Sequence, residues 1–163
     1  MRGFMYVNGF RRTSCLFVIL VMVLIVFTMY VPDARAQGTV VFDSIRSDAL
    51  ANNLIDDSPN REMTIYLPPG YATSGKRYPV VYILHGLLTG VRNRVWLLPM
   101  VHIDTVLDSL ITMEGVEPFV AVMPDGENRF GGSYYGSSPT IGDYESYIVY
   151  EIPKFIEEHY RVI

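Results

Sequence analysis

Lys76-Arg77-Tyr78-Pro79-Val80-Val81-Tyr82-Ile83-Leu84-His85-Gly86-Leu87 is the stretch on which the fold turns. Val80 to Leu84 is an unbroken apolar run closed by His85-Gly86, the pattern of a parallel strand covered on both faces by helices. A second such run, Phe119 to Met123, ends in Pro124-Asp125-Gly126. Between the two, Val101, Val106, Leu107, Leu110 and Ile111 fall at near-helical spacing, and Gly115 is the stop. Strand, helix, strand in this order predicts a parallel pair joined by a right-handed crossover.

Working outward, Arg61 to Leu67 alternates, with Met63, Ile65 and Leu67 on one side and Glu62, Thr64 and Tyr66 on the other. That predicts a half-buried strand, stopped by Pro68-Pro69-Gly70 because proline cannot donate to a ladder. Val40–Phe42 opens another extended segment, with Ser44–Leu50 as a candidate continuation. The turn-rich 52–60 stretch joins it to the strand at 61–67 as an antiparallel hairpin. On the C-terminal side, Gly142 or Asp143 starts a helix with Tyr144, Ile148, Ile152, Phe155, Ile156 and His159 along one face. Pro153 costs about 3 kcal/mol in a regular helix interior and predicts a kink or a restart there. A hairpin followed by strand, helix, strand, helix is an α/β sheet with an antiparallel edge.

The first 36 residues stand apart. Arg2, Arg11 and Arg12 precede a 17-residue uncharged run from Cys15 to Val31, then Ala34-Arg35-Ala36. Basic, apolar, then small residues is the order of a secretory signal peptide, with Gln37 as the new N-terminus. The alternative is a retained anchor, since the run sits at the short end of the ~17–25 residues that span a bilayer. Both readings export residues 37–163 to the periplasm or beyond. Without the four Arg and one Asp of positions 1–36, the chain's 13 basic and 17 acidic residues become nine and sixteen, a formal net charge of −7. An acidic surface argues against nucleic acid or anionic lipid as a partner, leaving a membrane role only to an uncleaved anchor. The one cysteine, Cys15, lies within positions 1–36, so the exported part relies on its core rather than on a disulfide.

Ligands of open α/β sheets bind beyond the carboxyl ends of the strands. Two such ends are visible, His85-Gly86-Leu87-Leu88 and Pro124-Asp125-Gly126-Glu127-Asn128. Direct substrate contact is a candidate role for Asp125, Asn128 and Tyr135, set against a plain turn at Asp125-Gly126. Trp96, the single tryptophan, either packs under the first loop or lines an acyl pocket. His85 fits a loop-fixing hydrogen bonder, His102 a surface or packing residue, and His159 a helix C-terminus favoured by the dipole. No pair of histidines has ligand spacing, so neither a metal nor another cofactor is expected. Ser133 sits in Gly131-Gly132-Ser133-Tyr134-Tyr135, which follows no predicted strand and starts no clear helix. A nucleophile elbow needs strand, tight turn and helix, so Ser133 reads as a loop or pocket-rim residue.

The order of motifs adds more. Arg61-x-Met63-Thr64-Ile65-Tyr66-Leu67-Pro68-Pro69-Gly70-Tyr71, the 76–87 stretch, Val122-Met123-Pro124-Asp125-Gly126, Gly131-Gly132-Ser133-Tyr134-Tyr135, Gly142-x-Tyr144-Glu145 and Tyr160-Arg161-Val162-Ile163 follow one another along the chain. Over positions 61–163 this resembles the esterase D family, which includes S-formylglutathione hydrolases, the antigen 85 mycolyltransferases and many secreted esterases. The resemblance implies the N-terminal part of an α/β-hydrolase fold, truncated before the nucleophile-elbow strand. It gives Leu87 as one oxyanion-hole N–H, the second coming from the residue after the serine of a G-x-S-x-G elbow. In the family that elbow follows Tyr-Arg-Val-Ile by a strand's length, so serine, acid and histidine are all expected to be missing from this chain. It further implies that the 80–84 strand pairs with the elbow strand and is left with an open edge without it. The implied activity is serine ester hydrolysis of a small-molecule or polysaccharide-linked ester, with the chain inactive alone unless a C-terminal half complements it. An acyltransferase of the mycolyltransferase type and a non-catalytic carbohydrate-binding module are the alternatives.

Overall fold

Residues 37–86 and 101–163 are described by the computed structural model, all within the unit Ala36–Ile163. The expected export signal at 1–36, Leu87 and Trp96 lie outside the described residues. The hairpin forms as expected: β1 (Thr39–Arg46) and β2 (Asn60–Leu67) pair antiparallel, from Thr39 opposite Leu67 to Arg46 opposite Asn60. After the short helix α1 (Tyr71–Ser74) comes β3 (Val80–Tyr82), then α2 (Ile103–Thr112) and β4 (Val120–Pro124). β4 pairs parallel with β3 and antiparallel with β2, giving the order β1-β2-β4-β3.

β4 is the hub. All five of its residues are buried, and its alternating side chains feed two cores. Val120 and Val122 join Met63, Ile65, Tyr144, Tyr147, Ile152 and Ile156 on one face; Ala121 and Met123 join Tyr66 and Leu107 of α2 on the other. Each fully buried Val, Ile, Leu or Met is worth about 1.5–3 kcal/mol relative to exposure. This two-sided burial corrects the half-buried expectation for residues 61–67: Thr64 and Tyr66 are as buried as Met63 and Ile65, because β2 is an interior strand. The Tyr66 hydroxyl donates to Asp108 Oδ1 at 2.7 Å. Burial and that carboxylate raise its pKa, so the phenol stays a donor.

Two further expectations need correction. The 80–84 run forms only three strand residues and is not covered on both faces, with Val81 and Leu84 44% exposed or nearly so. The strand holds through its pairing with β4 more than through burial. Val101 falls ahead of α2 and is exposed, as is Val106 on it, while Leu107 is buried; Ile103, Leu110 and Ile111 pack with Leu107 instead.

The C-terminal helix runs unbroken from Tyr144 to His159 and meets Pro153 with a π-turn rather than the expected restart. Asp143 closes the two-residue ladder of β5 (Ser137–Ser138) and β6 (Gly142–Asp143) and caps α3 (Tyr144–Ser146), its Oδ1 accepting from Ser146 N at 3.0 Å. A π-turn, Tyr147–Glu151, then leads into α4 (Ile152–His159), with Pro153 in its first turn. Proline has no N–H and its ring strikes the carbonyl four residues back; here Ile152 N–H bonds to Tyr147 O, a wider turn that relieves the conflict. The buried positions therefore run Tyr144, Tyr147, Ile152, Ile156, and Tyr147 takes the core place expected of Ile148. Beyond α4, Val162 bridges Tyr78 in parallel: Tyr78 N donates to Arg161 O at 3.0 Å and Ile163 N to Tyr78 O at 2.9 Å. Past Tyr78, the outer edge of β3 pairs with no strand among the described residues. No helix among them is long and apolar enough to cross a membrane.

Candidate functional site

Parallel pairing sets the carboxyl ends of β3 and β4 side by side, and His85 joins the loops that leave them. Gly126 N–H donates to His85 Nε2 at 2.8 Å, so Nε2 presents a lone pair. His85 Nδ1 lies 2.8 Å from Gly86 O. A carbonyl only accepts, so Nδ1 carries the proton. Both bonds together select the neutral Nδ1–H tautomer. Asp125 Oδ1 is 3.8 Å from Nε2, and with that lone pair engaged the contact is not an ion pair.

Tyr135 braces the same turn from the other side. Its hydroxyl donates to His85 O at 2.9 Å and its ring meets the imidazole edge-on at 5.8 Å. Burial pushes the phenol up to about 12, which keeps it protonated. Only a glycine at 126 admits that ring: an ideal Cβ there would lie 2.4 Å from Tyr135 Cε1. The loop closes on itself through Ser133 N to Gly126 O at 3.1 Å and Tyr135 N to Ser133 Oγ at 3.1 Å. Asn128 Oδ1 accepts from Phe130 N at 2.9 Å and Gly132 N at 3.3 Å. Tyr134 and Tyr135 both adopt the left-handed conformation, φ 53° and 54°, at roughly 1–2 kcal/mol each for a residue with a Cβ.

Beneath the loop lies a buried charge. Arg61 donates to Glu127 O at 2.9 Å and to the Tyr144 hydroxyl at 2.7 Å, and stands 3.6 Å from Asp125 Oδ2. Tyr144 in turn donates to Glu127 O at 3.0 Å. Burial raises the Asp125 carboxyl pKa, opposed by the Glu127 N–H bond and by Arg61.

Between the loops opens a cleft of about 340 Å³ lined by His85, Gly86, Gly132, Ser133, Tyr134 and Tyr135. Of the expected substrate residues, Tyr135 lines it. Asp125 and Asn128 are buried under the loop with their oxygens committed to it, and Leu87 and Trp96 fall outside the described residues. Ser133 reaches the cleft, but both imidazole nitrogens of His85 are already engaged and neither serves it as a base. His102 lies at the start of α2 and His159 at the end of α4, both exposed. Among the described residues no group of His, Cys, Asp and Glu is arranged to hold a metal ion. Sequence reasoning missed Arg61 and Tyr144 as the floor of the site. The available signal was the alternation itself: Arg61 falls on the same side of the strand as Met63 and Ile65, the inward side.

Comparison with known proteins agrees with this geometry. A ferulic acid esterase of known structure is 28% identical, with a TM-score of 0.64, over 80% of this chain and 46% of its own. An S-formylglutathione hydrolase from Agrobacterium tumefaciens is 20% identical, TM-score 0.56, over 81% of this chain and 47% of its own. A ferulic acid esterase from Anaeromyces mucronatus, solved in complex with ferulic acid, is also 20% identical, TM-score 0.56, over 81% and 49%. The chain thus spans about half the length of the solved structures it resembles. No curated protein sequence matches it. Residues 57–163 match the Esterase family, whose description reads "Putative esterase", and the chain belongs to that family of α/β-hydrolases.

Proposed function

We propose that this chain supplies the oxyanion-stabilising side of a serine carboxylic-ester hydrolase, with positions 1–36 as its export signal and 37–163 as the first part of the hydrolase domain. The observation that carries the reading is the double anchoring of the His85-Gly86 turn. The His85 carbonyl is held by Tyr135 and the Gly86 carbonyl by the His85 ring. Two pinned carbonyls make the His85-Gly86 turn a rigid lead-in to the proposed donor. An oxyanion donor works only if it is fixed before the charge develops, and a turn with two pinned carbonyls meets that requirement.

No G-x-S-x-G occurs in the 163 residues, and Ser133 has no base, so the described part binds and stabilises rather than attacks. The attacking serine, its histidine and its acid come from sequence or a polypeptide completing the fold. An aromatic carboxylic ester suits the cleft, whose walls are His85, Tyr134 and Tyr135, and structurally similar proteins include ferulic acid esterases. The test uses the protein with its elbow present, assayed on methyl ferulate and p-nitrophenyl acetate. Leu87→Pro, which lacks the N–H, should lower kcat by about 10²–10³ with KM little changed. Undiminished turnover in that variant refutes the assignment, as does clear turnover by residues 37–163 alone.

A further inference from the structure

Among the described residues, the first backbone group tied into the fold is the Gly38 N–H, which donates to Asp108 Oδ1 at 2.7 Å. The same oxygen accepts the Tyr66 hydroxyl at 2.7 Å, so the anchor is itself held by the core of the sheet. Gly38 lies this close because it has no side chain: an ideal Cβ there would be 2.4 Å from Tyr66 Cε2 and 2.7 Å from Leu67 O. β1 begins at the next residue, Thr39. Gln37, one residue ahead of the anchor, is exposed, and neither its backbone N–H nor its side-chain amide makes a hydrogen bond among the described residues. A chain end is loose unless tied down, and here the tie stops one residue short of Gln37.

We propose that Gln37, once cleavage after Ala36 makes it the first residue, cyclises to pyroglutamate, so that the exported chain begins with a lactam rather than an amine. The inference rests on the export reading of positions 1–36 and adds a covalent modification to it. The α-amino nitrogen attacks the side-chain amide carbon Cδ, and the bond from Cδ to Nε2 breaks. Nε2 leaves as ammonia, carrying the proton that the amine gives up, and no co-reactant is consumed. Both reacting groups belong to one residue, so the attack is intramolecular and needs no encounter. The fold opposes none of this, because Gly38 holds Gln37 only from its carboxyl side. The product replaces a terminal ammonium, the prevailing form of an α-amine at neutral pH, with an uncharged amide N–H. Exopeptidases that grip a free amine then find none, and the residue behind it is already locked against Tyr66.

The test is to express the full chain with its own leader, collect the exported protein and record its intact mass and its N-terminal sequence by stepwise degradation. The mass should be that of residues 37–163 less one ammonia. Degradation should give no signal until a pyroglutamyl aminopeptidase is added, and should then read Gly38-Thr39-Val40. Gln37→Glu, whose carboxylate is a poor electrophile, should keep its amine and its full mass, and should melt with the wild type because the residue lies outside the anchor. A chain of full 37–163 mass that still sequences from Gln37 after prolonged incubation at neutral pH overturns the proposal and leaves the export reading standing. An equally blocked Gln37→Glu also overturns it, since the block would then not need the side-chain amide. A chain that keeps residues 1–36 or starts at another position overturns both readings, and the mass alone tells this failure from the others. None of these results depends on turnover, so the hydrolase assignment is tested separately.

Discussion

Gly126→Ala tests the bracing of the site with one methyl group. Gly126 does not have a positive φ, so the backbone accepts alanine and the perturbation is confined to packing. The added Cβ would sit 2.4 Å from Tyr135 Cε1 and 3.0 Å from Cζ, against about 3.5–4.0 Å for a comfortable carbon contact. The ring must therefore move by about 1 Å or more, and its tether at His85 O, now 2.9 Å long, is lost or bent. Overpacking costs about 1–3 kcal/mol and a lost hydrogen bond about 1 kcal/mol, so destabilisation of about 2–4 kcal/mol is expected by urea unfolding. The decisive form is a double-mutant cycle with Tyr135→Ala. Once the ring is gone the extra methyl meets open space, so the second substitution should add little, giving a coupling of about 1–3 kcal/mol. Additivity within about 0.5 kcal/mol would refute the claim that the ring and the glycine face each other.

Three further outcomes follow from the same geometry. His85→Ala removes the acceptor of the buried Gly126 N–H and should lower unfolding free energy by about 1–3 kcal/mol; an unchanged denaturation midpoint would mean that the bracket is decorative. Arg61→Met strips the counter-ion from the buried Asp125 and should cost about 3 kcal/mol at neutral pH, read by the same unfolding assay. Asp125 has a folded pKa raised above 3.8, chiefly by burial, so the folded state binds its proton at higher pH than the unfolded chain and the burdened carboxylate is relieved as pH falls through that raised value. The Arg61→Met deficit should accordingly shrink as pH falls from neutral through that raised value, and a deficit that grows on acidification would contradict the assigned sign.

The sheet was legible where apolar pattern and position coincide. The 119–123 run has no polar residue to place outside, and β4 is buried from end to end. The 39–46 and 60–67 segments pair as the turn-rich connection demands. Pattern failed where burial depends on which strand is interior. Alternation at 61–67 implies one wet face, but Tyr66 carries its hydroxyl inward to Asp108, so a polar atom passed for an exposed residue. The 80–84 run misled in the opposite direction: five apolar residues imply enclosure, yet Val81 and Leu84 stay accessible at the sheet's outer strand. Spacing by fours missed Tyr147 because a π-turn inserts one residue ahead of Pro153. As for the site, strand-end glycines marked its place, but the partners of Arg61 lie 66 and 83 positions away, and no local pattern carries that.

These failures bear on how the site is held. β3 is short and partly exposed, and on its own it would position the following turn poorly. The turn is instead tied sideways, through His85 to Gly126 and through Tyr135 back to His85, onto the loop that leaves β4. That loop is anchored in turn by Asp125 N to Glu62 O at 3.1 Å and by Arg61 beneath Glu127. The rigidity that the proposed oxyanion donor would require is thus borrowed from the most buried strand of the sheet, while β3, which leads into that turn, stays at the outer edge. Disturbing Gly126 or Arg61, neither of which lines the cleft, should on this logic loosen the His85-Gly86 turn as effectively as a substitution in the turn itself.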